Sequence, residues 1–219
     1  MTLLQPLAGE AASLSDRAAH RIRELIVSLE LPPGSPISER ALMERLGLGR
    51  TPVREALRTL AQEKLVEVYP RRGIVVAPVD VGDLASLSEA RIALESYAAR
   101  CAAERATPEE KAIARALLRE LPDAADAHDE RALIELDQRI HRHVYASAHN
   151  PFIESTLNEY YVLTLRIWFL ALDRVARLDD AVTEHRELLE AICEADPSRA
   201  EAVMRSHIQG FERAIRAVL

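Results

Sequence analysis

Residues 38–77 read SERALMERLGLGRTPVREALRTLAQEKLVEVYPRRGIVVA, and this stretch decides how the chain is understood. Ser38 is placed to cap a helix over 39–46, because its hydroxyl can accept a bond from an otherwise unsatisfied amide at the helix start. Gly47 supplies the turn. A further helix begins near Arg50, with Pro52 tolerated in its first turn, where an amide donor is not needed. Val53, Ala56, Leu57 and Leu60 recur at helical spacing and form its buried stripe, while Arg50, Thr51 and Arg54 project from another face. Leu65–Val68 and Ile74–Ala77 are short β-prone runs joined by Tyr69-Pro70-Arg71-Arg72-Gly73, a hairpin wing with a basic tip. A helix of this size fits the DNA major groove. Its first residues reach base edges, arginine bonds guanine bidentately, and cations with helix-start amides grip phosphates. The combination of this helix pair with a basic wing implies binding of double-stranded operator DNA.

Upstream, Leu14, Ala18, Ile22, Leu25, Ile26 and Leu29 predict a first helix over 14–29, ended by Leu31-Pro32-Pro33-Gly34. The charge distribution agrees with a reading head at this end. Residues 1–78 carry 11 Lys and Arg against 9 Asp and Glu, whereas residues 79–219 carry 17 against 26. The net charge of −7 therefore conceals a slightly basic head on an acidic body. The 219 residues suffice for two modest domains, expected at 1–78 and 79–219. Ala, Leu, Arg and Glu dominate and aromatic residues are few, which favours helices. Cys101 and Cys193 are isolated and read as thiols in a reducing compartment. No signal segment precedes the first helix and no apolar run spans a bilayer, so the expectation is a cytoplasmic protein without membrane attachment.

The segment 38–77 resembles the winged helix-turn-helix of the GntR family of bacterial transcription regulators. The resemblance rests on Ser38-Glu39-Arg40-Ala41-Leu42 and on Gly47-Leu48-Gly49-Arg50-Thr51-Pro52-Val53-Arg54-Glu55-Ala56-Leu57. It implies that Arg40, Arg50, Thr51 and Arg54 contact DNA and that Arg72-Gly73 sits at the wing tip. Many members carry serine where this chain has Gly49, so a phosphate-holding hydroxyl is missing there.

Beyond the linker at Pro78–Asp83 the pattern is helical throughout. Helices are expected at 81–105, from Thr107-Pro108, at about 129–147, from Asn150-Pro151 to about 173, at about 179–194, and from Asp196-Pro197 to the end. Six helices with short connections imply an antiparallel bundle, making the fold mainly α. Leu84, Leu87, Arg91, Leu94, Ala98 and Cys101 share one face of the first of them.

Asp137 and His141 stand four residues apart and so share a helix face. His185 and His207 lie on two later helices. One carboxylate and three imidazoles suit a divalent transition metal, but the spacing alone equally allows unrelated histidines held by hydrogen bonds. His143 points away from His141. His20, His128 and His149 are expected at the surface.

The helical region resembles the FCD effector domain of the FadR subfamily, in its VanR-like six-helix form. The matching runs are Asp137-Gln138-Arg139-Ile140-His141, Glu184-His185-Arg186-Glu187 and Met204-Arg205-Ser206-His207. The resemblance implies that Asp137, His141, His185 and His207 ligate a metal, zinc first with nickel or manganese as alternatives. It implies also a small carboxylate effector beside the ion. Arg91, within Arg91-Ile92-Ala93-Leu94-Glu95, and Arg166, which interrupts an apolar helix, are the candidate effector cations; the competing reading for each is a structural ion pair, with Glu95 or Asp137 as possible partners. Tyr161, Trp168 and Phe169 are assigned to the core or an interface. The whole reads as a homodimeric, ligand-responsive transcription regulator, with repression relieved by ligand. The alternatives are a metal-dependent enzyme fused to a DNA-binding head and a metal-free sensor. Against the enzyme stands the absence of an HExxH helix or of a base paired with a nucleophile.

Overall fold

The structure, a computed structural model, describes residues 13–71, 73–79, 81–121, 130–171 and 178–218. Its elements are α1 (Leu14–Val27), β1 (Pro36–Ile37), α2 (Glu39–Leu46), α3 (Arg50–Gln62), β2 (Val66–Tyr69), β3 (Gly73–Val76), α4 (Val81–Arg105), α5 (Pro108–Glu120), α6 (Glu130–Ser147), α7 (Pro151–Ala171), α8 (Leu178–Glu194) and α9 (Pro197–Arg216). Two compact units result. One is Met1–Asp80 together with Val162–Leu170; the other is Val81–Tyr161 with Ala171–Leu219. The partition expected at 78/79 does not anticipate that α7 is divided between the units.

In the N-terminal unit a capping box opens α1. The Asp16 amide donates to Ser13 Oγ at 3.0 Å and the Ser13 amide to Asp16 Oδ2 at 3.1 Å. The helix stops at Val27, two residues before the expected end. Leu29 turns into the left-handed region at φ 61°, and the Leu31 amide reaches back to the Leu25 carbonyl at 2.8 Å. The prolines therefore follow a stop that the backbone has already made. Ser38 caps α2, accepting from the Ala41 amide at 3.2 Å, and Gly47 at φ 65° turns the chain toward α3. Val53, Ala56, Leu57 and Leu60 are buried as α3 packs on α1. Each fully buried leucine contributes about 1.5–3 kcal/mol relative to exposure.

One charged pair lies inside this unit. Arg23, 1% exposed, donates bidentately to the Glu63 carboxylate at 2.9 and 2.7 Å, tying α1 to the end of α3. The wing strands pair antiparallel with Val66 opposite Val76 and Tyr69 opposite Gly73. Gly73 has φ 83°, the backbone conformation that glycine tolerates best. A third strand, β1, was not anticipated. It pairs with β3 and gives the order β1-β3-β2; two residues are too few to carry a period-2 signal.

In the C-terminal unit, Thr107 and Glu110 form the capping box of α5, and Asp196 caps α9 through the Arg199 amide. Ala114, Leu117 and Leu121, Leu136 and Ile140 of α6, and Val182 and Leu189 of α8 share one apolar cluster. That cluster fixes α6 beside α8. Helix α4 packs on α6, α8 and α9, and α8 packs on α9. On α4 the buried row is not purely apolar. Leu84, Arg91, Ala98 and Cys101 are buried, Leu87 and Leu94 are half-exposed, and Ser88 and Glu95 are buried instead. His20 is another correction: it lies buried on α1, where it faces Glu24 at 4.0 Å, rather than on the surface. His149 is exposed, with Nε2 3.0 Å from Glu110 Oε2, and His128 lies outside the described residues.

Candidate functional site

Three helices supply the polar centre of the C-terminal unit. Asp137 and His141 come from α6, one turn apart on the face adjoining buried Ile140. His185 comes from α8, between buried Val182 and Leu188. His207 comes from α9, between buried Met204 and Ile208. The Nε2 atoms of His141 and His207 are 3.3 Å apart, and those of His185 and His141 are 3.4 Å apart. Asp137 Oδ1 lies 3.3 Å from His185 Nε2 and 3.7 Å from His141 Nε2. All four residues are buried, and their ligand atoms fall within 4.8 Å of one another.

The outward sides of these groups are held as well. His141 Nδ1 lies 3.0 Å from Glu95 Oε2 and 3.2 Å from the Tyr145 hydroxyl. His207 Nδ1 lies 2.8 Å from Glu184 Oε2. The Tyr161 hydroxyl donates to Asp137 Oδ2. A carboxylate facing an imidazole Nδ1 favours the tautomer with the proton on that nitrogen, which turns the Nε2 lone pairs of His141 and His207 inward. Burial, with His207 and His141 nearby, holds the His185 pKa well below the ordinary histidine value, so that ring is neutral. Three imidazoles and one carboxylate aimed at a common point fit a divalent ion.

Arg91 and Glu95 extend the network. Arg91 Nε donates to Glu95 Oε1, and its guanidinium lies 5.9 Å from the Phe211 ring centroid. Burial acts to raise the Glu95 pKa, but the Arg91 charge and the His141 ring outweigh it and bring the carboxyl down to about 2. Burial and the neighbouring carboxylates push the Tyr145 and Tyr161 hydroxyls well above the usual phenol range, so both remain protonated donors. The ion pair weighed against a ligand role for Arg91 is therefore present. Arg166 is placed elsewhere. It belongs to the Val162–Leu170 segment of the N-terminal unit, where its guanidinium donates to the Ala77 carbonyl. Burial lowers its pKa to about 10, against the opposing Glu67 carboxylate.

Tyr161, assigned from sequence to the core or an interface, is buried in the core, and its hydroxyl also bonds a member of the tetrad. Glu184 and Tyr145 were missed as supporting residues. Tyr145 carried a signal, since it stands one helical turn beyond His141. Glu184 carried a misleading one, because it precedes His185 in sequence yet serves His207. His143 is half-buried and is not among the clustered residues.

On the DNA-reading side, Arg40, Arg50, Thr51, Arg54 and Gly73 are exposed, and Arg72 lies outside the described residues. Arg54 Nε lies 3.3 Å from Glu39 Oε1, and Arg40 Nε 3.5 Å from Glu44 Oε1. Gly49 caps α3 without a side-chain bond, leaving its first amides open to an anion.

Residues 14–76 match the bacterial regulatory proteins, gntR family, and residues 86–210 match the FCD domain. A probable D-xylose utilization operon transcriptional repressor of Paenarthrobacter nicotinovorans is 29% identical over 197 residues, covering 88% of this chain and 86% of its own. The galactonate operon transcriptional repressor of Escherichia coli is 29% identical over 230 residues, covering 93% and 97%. Among solved structures, E. coli McbR/YncC superposes with a TM-score of 0.83 at 22% identity, over 94% of this chain and 98% of that one. The chain thus belongs to the gntR family of bacterial regulatory proteins and carries an FCD domain. The family makes it a DNA-binding transcription regulator and not an enzyme. No described helix is long and apolar enough to cross a membrane.

Proposed function

We propose that the C-terminal unit binds one divalent transition-metal ion, zinc first, on Asp137, His141, His185 and His207. A small carboxylate bound at that centre then changes the operator affinity of a cytoplasmic homodimer. The convergence of three Nε2 atoms on Asp137 Oδ1 carries this reading. Separations of 3.3, 3.4, 3.3 and 3.7 Å between the ligand atoms are short enough for one ion to be shared among them.

When bound, the ion supplies a fixed positive charge that attracts an anionic ligand. The protein's own residues do the rest. Glu95 and Glu184 fix the tautomers of His141 and His207, and Tyr161 holds the second oxygen of Asp137 so that Oδ1 faces inward. Arg91 spends its Nε on Glu95, which leaves its two Nη groups to meet a ligand carboxylate. Galactonate, for whose operon one relative is named, belongs to the hydroxycarboxylate class that such a centre would take. Two winged heads read a palindromic operator through Arg40, Arg50, Thr51 and Arg54, with Arg72 and Gly73 at the wing. Ligand relieves repression to the extent that it favours the head arrangement that does not fit the operator.

Elemental analysis of the protein purified without added metal, together with operator titrations across a panel of carboxylates, tests this. One ion per chain is expected in the wild type. His185→Ala should lose it while still binding operator; stoichiometric metal in that variant would overturn the assignment.

A further inference from the structure

Helix α3 carries a row of cations. Arg50, Arg54 and Arg58 follow one another at the four-residue spacing that puts side chains on one helix face, and all three are exposed. Arg50 and Arg58 have no hydrogen-bond or ion-pair partner among the described residues. The middle arginine differs. Arg54 Nε lies 3.3 Å from Oε1 of Glu39, which belongs to α2. Glu39 is the better shielded of the two, its side chain 33% exposed against 60% for Arg54.

The carboxylate is fixed from its own side. Glu39 is the first residue of α2, directly after the Ser38 cap, where the helix dipole favours an anion. Helices α2 and α3 pack on one another within the N-terminal unit. An exposed pair of this kind adds little to stability. Its consequence is geometric. Holding Nε removes rotamer freedom that Arg54 would otherwise lose on binding, and it leaves both Nη groups without a partner among the described residues. A guanine presents two acceptors, O6 and N7, to such a fork. The carboxylate also acts against other complexes. It faces an anionic polymer, so a complex in which Arg54 turns away to a phosphate leaves the Glu39 charge uncompensated against DNA.

We infer that Glu39 is a positioning residue for DNA reading, which aims Arg54 at a guanine and weakens complexes that lack that guanine. Glu39 holds this role only if Arg54 reads a base, as proposed above; nothing in it depends on the metal.

Full-length wild type, Glu39→Ala, Glu39→Gln, Arg54→Ala and the double variant Glu39→Ala/Arg54→Ala each select sites from a random DNA duplex library. Base preference at each position is measured, with affinity for a duplex of unrelated sequence and thermal unfolding alongside. Arg54→Ala should abolish a guanine preference at one position of the site. Glu39→Ala should weaken that same preference by about three- to tenfold, the size of an ordinary pair coupling, and leave other positions unchanged. Its affinity for unrelated duplex should rise. Glu39→Gln keeps an acceptor but not the charge, so it should retain more of the preference and show the same rise. In the double variant, loss of Glu39 should relax nothing further. If Glu39→Ala proves destabilised, the rise in Glu39→Gln decides. Full guanine preference in a folded Glu39→Ala protein would overturn the inference. Relaxation at a position that Arg54→Ala leaves untouched would overturn it too, by making Glu39 a base contact in its own right. Unchanged preferences in Arg54→Ala would overturn it together with the assignment of Arg54 as a reading residue.

Discussion

Glu184→Ala separates support of the metal from support of the fold. Glu184 Oε2 lies 2.8 Å from His207 Nδ1, and its side chain is 18% exposed at the rim of the cluster. Without that acceptor, His207 loses the partner that fixes its proton on Nδ1 and holds its ring toward Asp137. Removing such a partner typically costs tenfold to a hundredfold in metal affinity, or about 1.4–2.7 kcal/mol. Glu184→Gln retains an acceptor oxygen and should lose less. The corresponding change at Glu95 would not be interpretable, since Glu95→Ala also strands buried Arg91. Breaking a buried pair in that way costs about 3–5 kcal/mol of stability, a large part of what a domain has. Zinc affinity is read by competition against a chromophoric chelator near neutral pH, with thermal unfolding of the metal-free proteins as control. Glu184→Ala with unaltered zinc affinity would show that the His207–Glu184 contact does not orient a ligand, and the tautomer argument would fall with it.

Arg54 is 60% exposed and its pairing with Glu39 is a surface one, so Arg54→Ala should leave stability within about 0.5 kcal/mol. The same change should cost about 1–3 kcal/mol of operator binding; equal affinities in fluorescence anisotropy would reject α3 as the reading helix. Stability of the metal-free protein should depend on pH through His185. Its folded-state pKa is depressed from 6.5 by burial and by His207 and His141. The unfolded chain therefore takes up a proton that the folded one refuses. The His185 contribution is fully present above pH 6.5 and is lost below it, by up to about 1.4 kcal/mol per pH unit for one proton. Denaturant midpoints that stay level between pH 7.5 and 5.5 would contradict the assignment of a neutral ring.

Much of the fold could be read in advance because its signals are local. Ser38, Gly47 and Thr107 act on their own turns, and the apolar stripe of α3 needs only helical spacing to be recognised. Where the reading went astray, the deciding interaction was not local. Leu29 ends α1 through a left-handed turn that nothing in its side chain announces. His20 is buried by packing rather than by its own preference. Tyr161 is in the core as its apolar neighbours on α7 suggest, but its hydroxyl partner, Asp137, lies 24 residues away and could not be foreseen. Arg166 looked like a ligand-binding cation for the same reason that it is unusual: it breaks an apolar run, but the oxygen it serves belongs to residue 77.

By itself the sequence determined the reading head, the helical body and the residue types able to hold a metal. Caps, turns and periodicity act over a few residues, and the motif runs carry their family with them. Only the tertiary structure decided which groups meet. Helices α4, α6, α8 and α9 bring Glu95, His141, His185 and His207 together across intervals of many residues, and α7 brings Tyr161 to Asp137. Those pairings follow from how the apolar faces of the helices bury against one another, a property of the assembled set that no single helix encodes.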